Sequence, residues 1–173
     1  GPDVPAGKVV QTPVSLVDCH PTIIEAVGAT AVDEDADLPG ESLWQIAQEA
    51  DCPRTIFSEY HAAGTRNGIF MLCDGETKYV HYADEEPQLF DLSSDPQETV
   101  NLADSPTHQS LRAEMERRLR RIVDPAAVDA RAKADQQAKL EEYGGEEAVL
   151  RRGLSNSAIP GEAPVFQQVT RQK

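Results

Sequence analysis

The 173-residue chain is long enough for one domain with a hydrophobic core, or for a small domain with an appendage. Its formal net charge is -14, because 30 acidic residues outnumber 16 lysines and arginines. A protein this acidic repels phosphate backbones and anionic membranes, so we expect neither a nucleic acid nor a membrane as its partner.

The first 50 residues predict one strand followed by two short helices. Residues 12–29 read TPVSLVDCHPTIIEAVGA, and the β-favouring side chains of the first half predict a strand. Pro21 suits the first turn of the helix that follows, and Gly28 suits the position after its last turn. Residues 29–40 form an acidic loop, and residues 41–50 predict the second helix.

Residues 54–92 predict a small antiparallel sheet. The run RTIFSEY, residues 54–60, is typical of a strand. The run GIFMLCDGETKYVHY, residues 68–82, predicts a hairpin, since the dipeptide Asp74-Gly75 favours a tight turn. The run PQLFDL, residues 87–92, supplies a further strand.

Three Xaa-Pro dipeptides then predict helix starts. Asp95-Pro96 followed by Glu98 has the spacing of a capping box, so we expect a helical turn there. A second helix is predicted from Ser105-Pro106 to about Val123, with Glu114 four residues before Arg118, the spacing of a stabilising ion pair. The apolar positions of this second helix share one face: Leu111, Met115, Leu119 and Ile122.

The third dipeptide, Asp124-Pro125, opens an alanine-rich helix that we expect to end near Gly144-Gly145. A last short helix is predicted up to Gly153. Residues 154–173 show little pattern, and we expect an extended or loose tail there.

Two short motifs admit a chemical and a structural interpretation. Asp18 and His20 fall at a junction from strand to helix, where ligands often bind, but helix capping is the interpretation we favour. Arg54 follows Cys52 and Pro53 and would favour a reactive thiolate. Proline and arginine are also ordinary turn residues, and no base is evident nearby, so a structural role is favoured there too.

The run FSEYHAAGTRNG, residues 57–68, is the best candidate for binding a substrate. Side chains alternate along a strand, so Glu59 and His61 are predicted to share one face, and Arg66 follows across a glycine-containing loop. An acid, an imidazole and a guanidinium at a strand end can contact a polar substrate. The alternative is a solvated edge of the sheet, where exposed charges are usual.

The cysteines and histidines form no recognisable site. Cys19, Cys52 and Cys73 are odd in number and far apart, which favours free thiols in a reducing compartment, so we expect a cytoplasmic protein. No two histidines have HxH or HxxxH spacing, and no cysteine has ligand spacing to a histidine. We therefore expect neither a metal site nor a cofactor in this chain, and we assign no catalytic residue.

The run LFDLSSDPQETVNLA, residues 89–103, resembles the L-[YF]-D-L-x-x-D-P-x-E-x-x-N-L motif of type I sulfatases, in the alkaline phosphatase superfamily. The resemblance covers about residues 1–123 and includes VDCHPT, LPGESLWQIA and FSEYH followed by GETKYVHY, in the order that the family has them. The E-Y-H run and the tail are similar to choline-sulfatase-like and phosphonate-monoesterase-like members.

The resemblance implies an α/β (α+β) fold with three parts. Residues 1–50 would end a large α/β sulfatase domain. Residues 51–123 would form a small four-stranded antiparallel sheet with a packed helix, which closes one side of the active-site cleft. Residues 124–173 would form a helical and extended tail that wraps a neighbouring subunit, so a homo-oligomer is expected.

The resemblance also implies chemistry that this chain does not carry. The family nucleophile is a formylglycine made in a C-x-P-x-R motif, whereas proline directly follows Cys52 here. Formylglycine and a Ca²⁺ or Mg²⁺ ion are thus implied for an N-terminal catalytic domain, the expected partner of this chain. The implied substrate is a small-molecule sulfate ester. The alternatives are a phosphonate or phosphate ester hydrolase, and a non-catalytic assembly module.

Overall fold

The computed structural model describes residues 6–35, 37–49, 51–61, 65–152, 154–155 and 166–167. The chain divides into two compact units, residues 1–125 and residues 126–173. The division at residues 50 and 123 that the resemblance implies stays a prediction.

A four-stranded antiparallel sheet forms the centre of the first unit, and its strands pair in the order of the sequence. The sequence pattern of residues 54–92 predicts all four strands, and the structure confirms them. They are β1 (Ile56–Tyr60), β2 (Ile69–Cys73), β3 (Thr77–Tyr82) and β4 (Gln88–Asp91).

The predicted hairpin turn lies between β2 and β3. Asp74 Oδ1 accepts a hydrogen bond from the backbone nitrogen of Thr77 at 2.9 Å. Gly75 has a φ of 95°, a conformation that glycine adopts without steric cost. These two residues set the register in which β3 returns along β2.

Helix α3 (Gln109–Ile122) packs against β2 and β3. It follows a 3-10 turn at Pro106–His108, which confirms the helix start predicted at Ser105-Pro106. Only the middle of the predicted apolar stripe is fully covered, since Leu111 and Ile122 remain 36% and 54% exposed. The most buried side chains of the sheet and this helix are Phe70, Leu72, Tyr79, Leu89, Met115 and Leu119.

The ion pair predicted within α3 is wrong. Glu114 binds Arg117, not Arg118. Arg118 instead reaches the sheet, where its Nη1 donates to Asp74 Oδ2 at 2.9 Å and its Nη2 donates to Thr55. An ion pair with the half-buried Asp74 is less screened by water than one with Glu114 on the exposed helix surface, so Arg118 binds Asp74.

The segment before the sheet carries α1 (Cys19–Ala26) and α2 (Leu43–Gln48), as predicted. The predicted strand before α1 is wrong, because Leu16–Asp18 form a 3-10 turn. Ser15 exchanges hydrogen bonds with the backbone and the carboxylate of Asp18, and these local bonds compete with an extended conformation. Gly28 ends α1 with a φ of 65°, as predicted.

The capping box predicted at Asp95 is also wrong. Glu98 adopts a φ of 55°, so the helical conformation ends after a single turn. Asp95 accepts hydrogen bonds from Thr99 Oγ1 at 2.9 Å and from the nitrogen of Val100 at 2.8 Å. The carboxylate of Glu98 does not return to Asp95 but binds Lys78 Nζ at 2.7 Å. The segment is therefore a turn fastened to β3.

The second unit is mainly helical. Helix α4 (Pro125–Glu142) begins at the predicted proline, and α5 (Glu146–Arg152) follows the predicted glycine pair. A two-residue pairing joins β5 (Leu154–Ser155) to β6 (Phe166–Gln167), and the rest of the predicted loose tail lies outside the described residues. Within the described part of the chain, no helix combines the length and hydrophobicity needed to cross a membrane.

Candidate functional site

Two of the three residues predicted to bind a substrate meet at the end of β1. Glu59 lies in β1 and its side chain is 42% exposed, while His61 directly follows the strand and is 20% exposed. His61 Nε2 lies 3.9 Å from Glu59 Oε2. Their contact agrees with the predicted shared face. Arg66 is exposed, and the described contacts do not join it to this pair.

The register of the sheet places a row of side chains beside this pair. Glu59 lies opposite Phe70 on β2, and Phe70 lies opposite His81 on β3. Phe70 is fully buried, with the His61 ring at 5.3 Å in an edge-on arrangement and the His81 ring at 6.2 Å. The partly buried imidazole of His61 thus packs against a fixed aromatic side chain, and Glu59 is the register partner of that residue on β1.

Behind this row, Glu116 of α3 connects the helix to β3. Its Oε2 accepts a hydrogen bond from Tyr79 Oη at 2.7 Å and lies 3.2 Å from His81 Nδ1. Arg120 Nε donates to its Oε1 at 2.5 Å. Burial raises the pKa of Glu116, but the Tyr79 hydrogen bond and the His81 and Arg120 charges outweigh it and lower the pKa overall.

The phenol of Tyr79 is held in its protonated form. Burial, and then the neighbouring Glu116 carboxylate, raise the pKa of Tyr79 above its ordinary value. The phenol therefore acts as a hydrogen-bond donor, and this cluster stabilises the contact of α3 with the sheet. Sequence reasoning missed the cluster, although Tyr79 and His81 have the spacing of one strand face and Glu116 lies four residues before Arg120.

A cleft of about 390 Å³ lies beside this cluster. Arg112 Nη1 donates to the carbonyl oxygen of Ala103 at 3.2 Å, and Arg112 Nη2 lies 3.9 Å from Glu86 Oε2. The cleft therefore presents charges of both signs, with the guanidinium held by the backbone. Its walls include Tyr79, His81, Glu86, Pro87, Arg112 and Glu116.

Asp18 has a fully buried carboxylate, which pairs with Arg54 through two hydrogen bonds of 2.7 and 2.6 Å. It also accepts bonds from the nitrogens of Ser15 at 2.7 Å and Glu41 at 3.0 Å. The Arg54 hydrogen bonds outweigh the effect of burial and lower the pKa of Asp18 from 3.8 to about 2.

This pairing bears on two interpretations of the sequence. The Asp18 carboxylate takes part in capping the 3-10 turn at Leu16–Asp18, where it accepts a hydrogen bond from the Ser15 nitrogen, but it makes no capping bond to α1. His20 lies apart from it, with Nε2 3.6 Å from Asp35 Oδ2. Arg54 is held by Asp18 and is not available to activate the exposed thiol of Cys52. This supports the structural interpretation that the sequence favoured for Cys52 and Arg54. The two partners of the ion pair lie 36 residues apart, so the sequence gives no local signal for it.

A close approach of the loop before α2 makes the Asp18 contacts possible. Gly40 has a φ of 134°, and a Cβ there would lie 2.5 Å from the carbonyl oxygen of Val17. A side chain at this position would displace the backbone. Glycine thus brings the Glu41 nitrogen to the Asp18 carboxylate.

Among the described residues, no three histidine, cysteine, aspartate or glutamate side chains are grouped to hold a metal ion. The side chains at the end of β1 suit the binding of a polar group. Among the described side chains at this strand end, none forms a pair of nucleophile and base.

Comparison with known proteins places these features in a family. Residues 2–124 match the family model described as N-sulphoglucosamine sulphohydrolase, C-terminal. Arylsulfatase K of Xenopus laevis is 36% identical over 143 residues, which cover 75% of this chain and 26% of that protein. Arylsulfatase K of Mus musculus is 34% identical over 142 residues, which cover 75% of this chain and 25% of that protein.

Two solved structures share the fold. The structure of a 2-O GAG sulfatase is similar with a TM-score of 0.60 and 26% identity, covering 80% of this chain and 30% of that chain. The crystal structure of Ps i-CgsB gives a TM-score of 0.53 and 25% identity, covering 69% of this chain and 26% of that chain. The chain spans about a quarter of the length of the curated relatives it matches. The chain belongs to the family of N-sulphoglucosamine sulphohydrolase C-terminal domains, and it corresponds to the C-terminal portion of a sulfatase.

Proposed function

We propose that this chain is the C-terminal part of a hydrolase that cleaves sulfate esters, and that its small sheet closes one side of the active-site cleft. The observation that carries the proposal is the match of residues 2–124 to a family described as the C-terminal region of a sulphohydrolase. The arylsulfatase relatives support sulfate ester chemistry over the phosphonate and phosphate alternatives.

Exposed apolar side chains before the sheet support docking onto a larger catalytic part. Leu16 is 88% exposed, and seven other large apolar side chains of this segment are also exposed. Soluble proteins rarely leave such apolar surface uncovered. The exposed set is Val9, Val14, Leu16, Val17, Ile23, Val27, Val32 and Leu38.

The proposal assigns the metal ion and the formylglycine to the catalytic part of the longer protein. In the part of the chain that the structure describes, the donor groups do not fit a metal, and Arg54 beside Cys52 is bound to Asp18. Sulfate ester cleavage needs an aligned nucleophile and a cation that stabilises the sulfuryl oxygens. The present residues are proposed to act on recognition alone.

Glu59, His61 and Arg66 are the proposed substrate contacts. Glu59 is exposed and acidic, so it suits a cationic group or a hydrogen-bond donor, whereas the exposed Arg66 suits an anionic group. These contacts would lie away from the reacting sulfur and would act on the choice of substrate more than on the chemical step.

Release of inorganic sulfate tests the proposed reaction. The longer protein that contains this chain is incubated with 4-nitrophenyl sulfate, with the matching phosphate ester and with a phosphonate monoester. We expect the highest kcat/KM for the sulfate ester, and no turnover by residues 1–173 alone. A higher kcat/KM for the phosphonate or phosphate ester would contradict the proposal.

Isosteric substitution tests the proposed contacts. In the longer protein, we expect Glu59→Gln to change the ratio of kcat/KM values between a cationic and an uncharged sulfate ester by about tenfold, the usual effect of one lost polar contact. Glu76→Gln, at the exposed turn of the opposite end of the sheet, is the matched control. An unchanged ratio for Glu59→Gln would assign Glu59 to the solvated sheet edge.

We further propose a homo-oligomer formed through residues 124–173, a proposal supported by the resemblance to sulfatases whose tails wrap a neighbouring subunit. Light scattering of the longer protein with and without this tail tests it. A tail-dependent increase in mass is expected, and equal subunit numbers would contradict the proposal.

A cytoplasmic location is proposed as well, supported by the three free thiols of Cys19, Cys52 and Cys73. Cell fractionation with an antibody to the chain tests the proposal. Recovery in an extracytoplasmic fraction would contradict it.

A further inference from the structure

We infer that Gly68 is a positioning residue, which determines where the His61 imidazole lies beside Glu59 and thereby which substrate group this pair accepts. The inference rests on the proposed role of His61 in substrate binding. It concerns a residue that has no side chain and would not itself touch the substrate.

The His61 ring occupies the space that a side chain at position 68 would need. A Cβ on Gly68 would lie 2.7 Å from Cε1 and 2.9 Å from Nδ1 of His61, and 3.0 Å from Cε2 of Phe70. Contacts this short require one of the groups to move. The backbone of Gly68 is outside the left-handed region, so alanine there meets no backbone strain, and its effect falls on the imidazole.

The backbone of Gly68 and the ring of Phe70 cannot move easily to relieve these short contacts. The carbonyl oxygen of Gly68 accepts a hydrogen bond from the nitrogen of Ala83 at 2.9 Å, which fastens the entry to β2 against the end of β3. Phe70 is fully buried and has the His81 ring on its other side at 6.2 Å. His81 Nδ1 in turn lies 3.2 Å from Glu116 on α3.

The imidazole is therefore the group that moves when position 68 gains a methyl group. His61 directly follows the last residue of β1, and its ring is the end of a rotatable side chain, whereas the backbone of Gly68 is not. Its Nε2 lies 3.9 Å from the Glu59 carboxylate, and a displaced ring changes this spacing. The imidazole and the Glu59 carboxylate would then no longer keep the relative position that they have in the parent protein.

A double-mutant cycle in the longer protein tests the inference. The readout is the ratio of kcat/KM values for two sulfate esters that differ only in the polar group away from the sulfur. We expect His61→Ala and Gly68→Ala each to change this ratio by about tenfold. The double variant should match His61→Ala alone, because Gly68 acts through that ring.

Ser58→Thr is the control, since it adds one methyl group to an exposed position of β1 next to Glu59 but on the opposite face of the strand. It should leave the ratio unchanged. Melting temperatures are measured for all variants, and if Gly68→Ala does not fold, the double variant, which lacks the imidazole, is expected to fold; failure of the double variant as well overturns the inference. An additive double variant, or an unchanged ratio for Gly68→Ala beside a changed ratio for His61→Ala, overturns the inference and leaves the proposed function intact.

The nuclear magnetic resonance signals of the His61 imidazole, recorded in the 173-residue chain, distinguish failure of the positioning by Gly68 from failure of the proposed substrate contact. If His61→Ala does not change the substrate ratio, the proposed substrate contact is wrong. The positioning itself is then judged by nuclear magnetic resonance, where Gly68→Ala is expected to shift the His61 ring signals and Ser58→Thr is not. Unchanged ring signals in Gly68→Ala overturn the inference.

Discussion

Asp18 shows how one side chain can define a junction in this fold. Its carboxylate is fully buried and accepts four hydrogen bonds, two of them from Arg54. A buried charge is tolerated only when its partners satisfy it, and removal of one partner is strongly destabilising. The pair fixes the turn before α1 against the segment that enters β1.

The stability of the first unit is predicted to depend on pH through Asp18. Its folded pKa of about 2 lies below 3.8, so its contribution of about 2 kcal/mol is present above pH 3.8 and is lost as the pH falls towards 2. Asp18→Asn should therefore lower the free energy of unfolding at pH 7. The difference from the parent chain should shrink between pH 4 and pH 2, as measured by urea unfolding at each pH.

Asp104→Asn serves as the control for that measurement, because the Asp104 side chain is 85% exposed. It should change the free energy of unfolding little at any pH. A constant difference between Asp18→Asn and the parent chain from pH 7 to pH 2 would contradict the role assigned to the buried pair.

At the scale of elements, α3 holds the sheet through the middle of its apolar stripe. Met115 is fully buried against the sheet, whereas Leu111 on the same stripe is 36% exposed. Met115→Ala should lower the free energy of unfolding by about 2–5 kcal/mol, since it removes buried contacts and leaves a cavity. Leu111→Ala is the matched control, and equal losses for the two variants in denaturant unfolding would contradict this packing.

The elements that the sequence predicted correctly are those with strong local signals. The period-two pattern of residues 54–92 and the turn at Asp74-Gly75 predict the sheet and its hairpin, and proline marks the true start of α4 at Pro125. Glu59 and His61 were placed on one face by the same alternation, and the structure brings them together.

The elements predicted wrongly are those where a distant or a competing contact prevails. The β-favouring side chains before α1 form no strand because local bonds of Asp18 make a turn. The capping box fails because Glu98 binds Lys78, and the ion pair in α3 fails because Arg118 binds Asp74. The partners of Glu98 and Arg118 lie 20 and 44 residues away in the sequence, so a local pattern does not predict these two contacts.

At the scale of the whole molecule, the chain carries an exposed apolar surface and the proposed substrate contacts, and the chemistry of the proposed reaction is assigned to another part of the longer protein. The apolar surface includes Leu16, which is 88% exposed in this chain. If this surface docks onto the catalytic part, an acidic residue there should damage the longer protein while leaving this chain stable.

The kcat/KM for sulfate ester hydrolysis by the longer protein carrying Leu16→Asp tests this most directly. Val100→Asp is the control, because Val100 is 56% exposed but lies in the turn that follows β4. Both substitutions should leave the unfolding of the 173-residue chain nearly unchanged. We predict that Leu16→Asp lowers kcat/KM by at least about tenfold, an effect on the order of 1.4 kcal/mol, and that Val100→Asp does not. Full sulfate ester turnover by Leu16→Asp, equal to that of the parent protein and of the control, would contradict the docking of this chain onto a sulfate-cleaving domain.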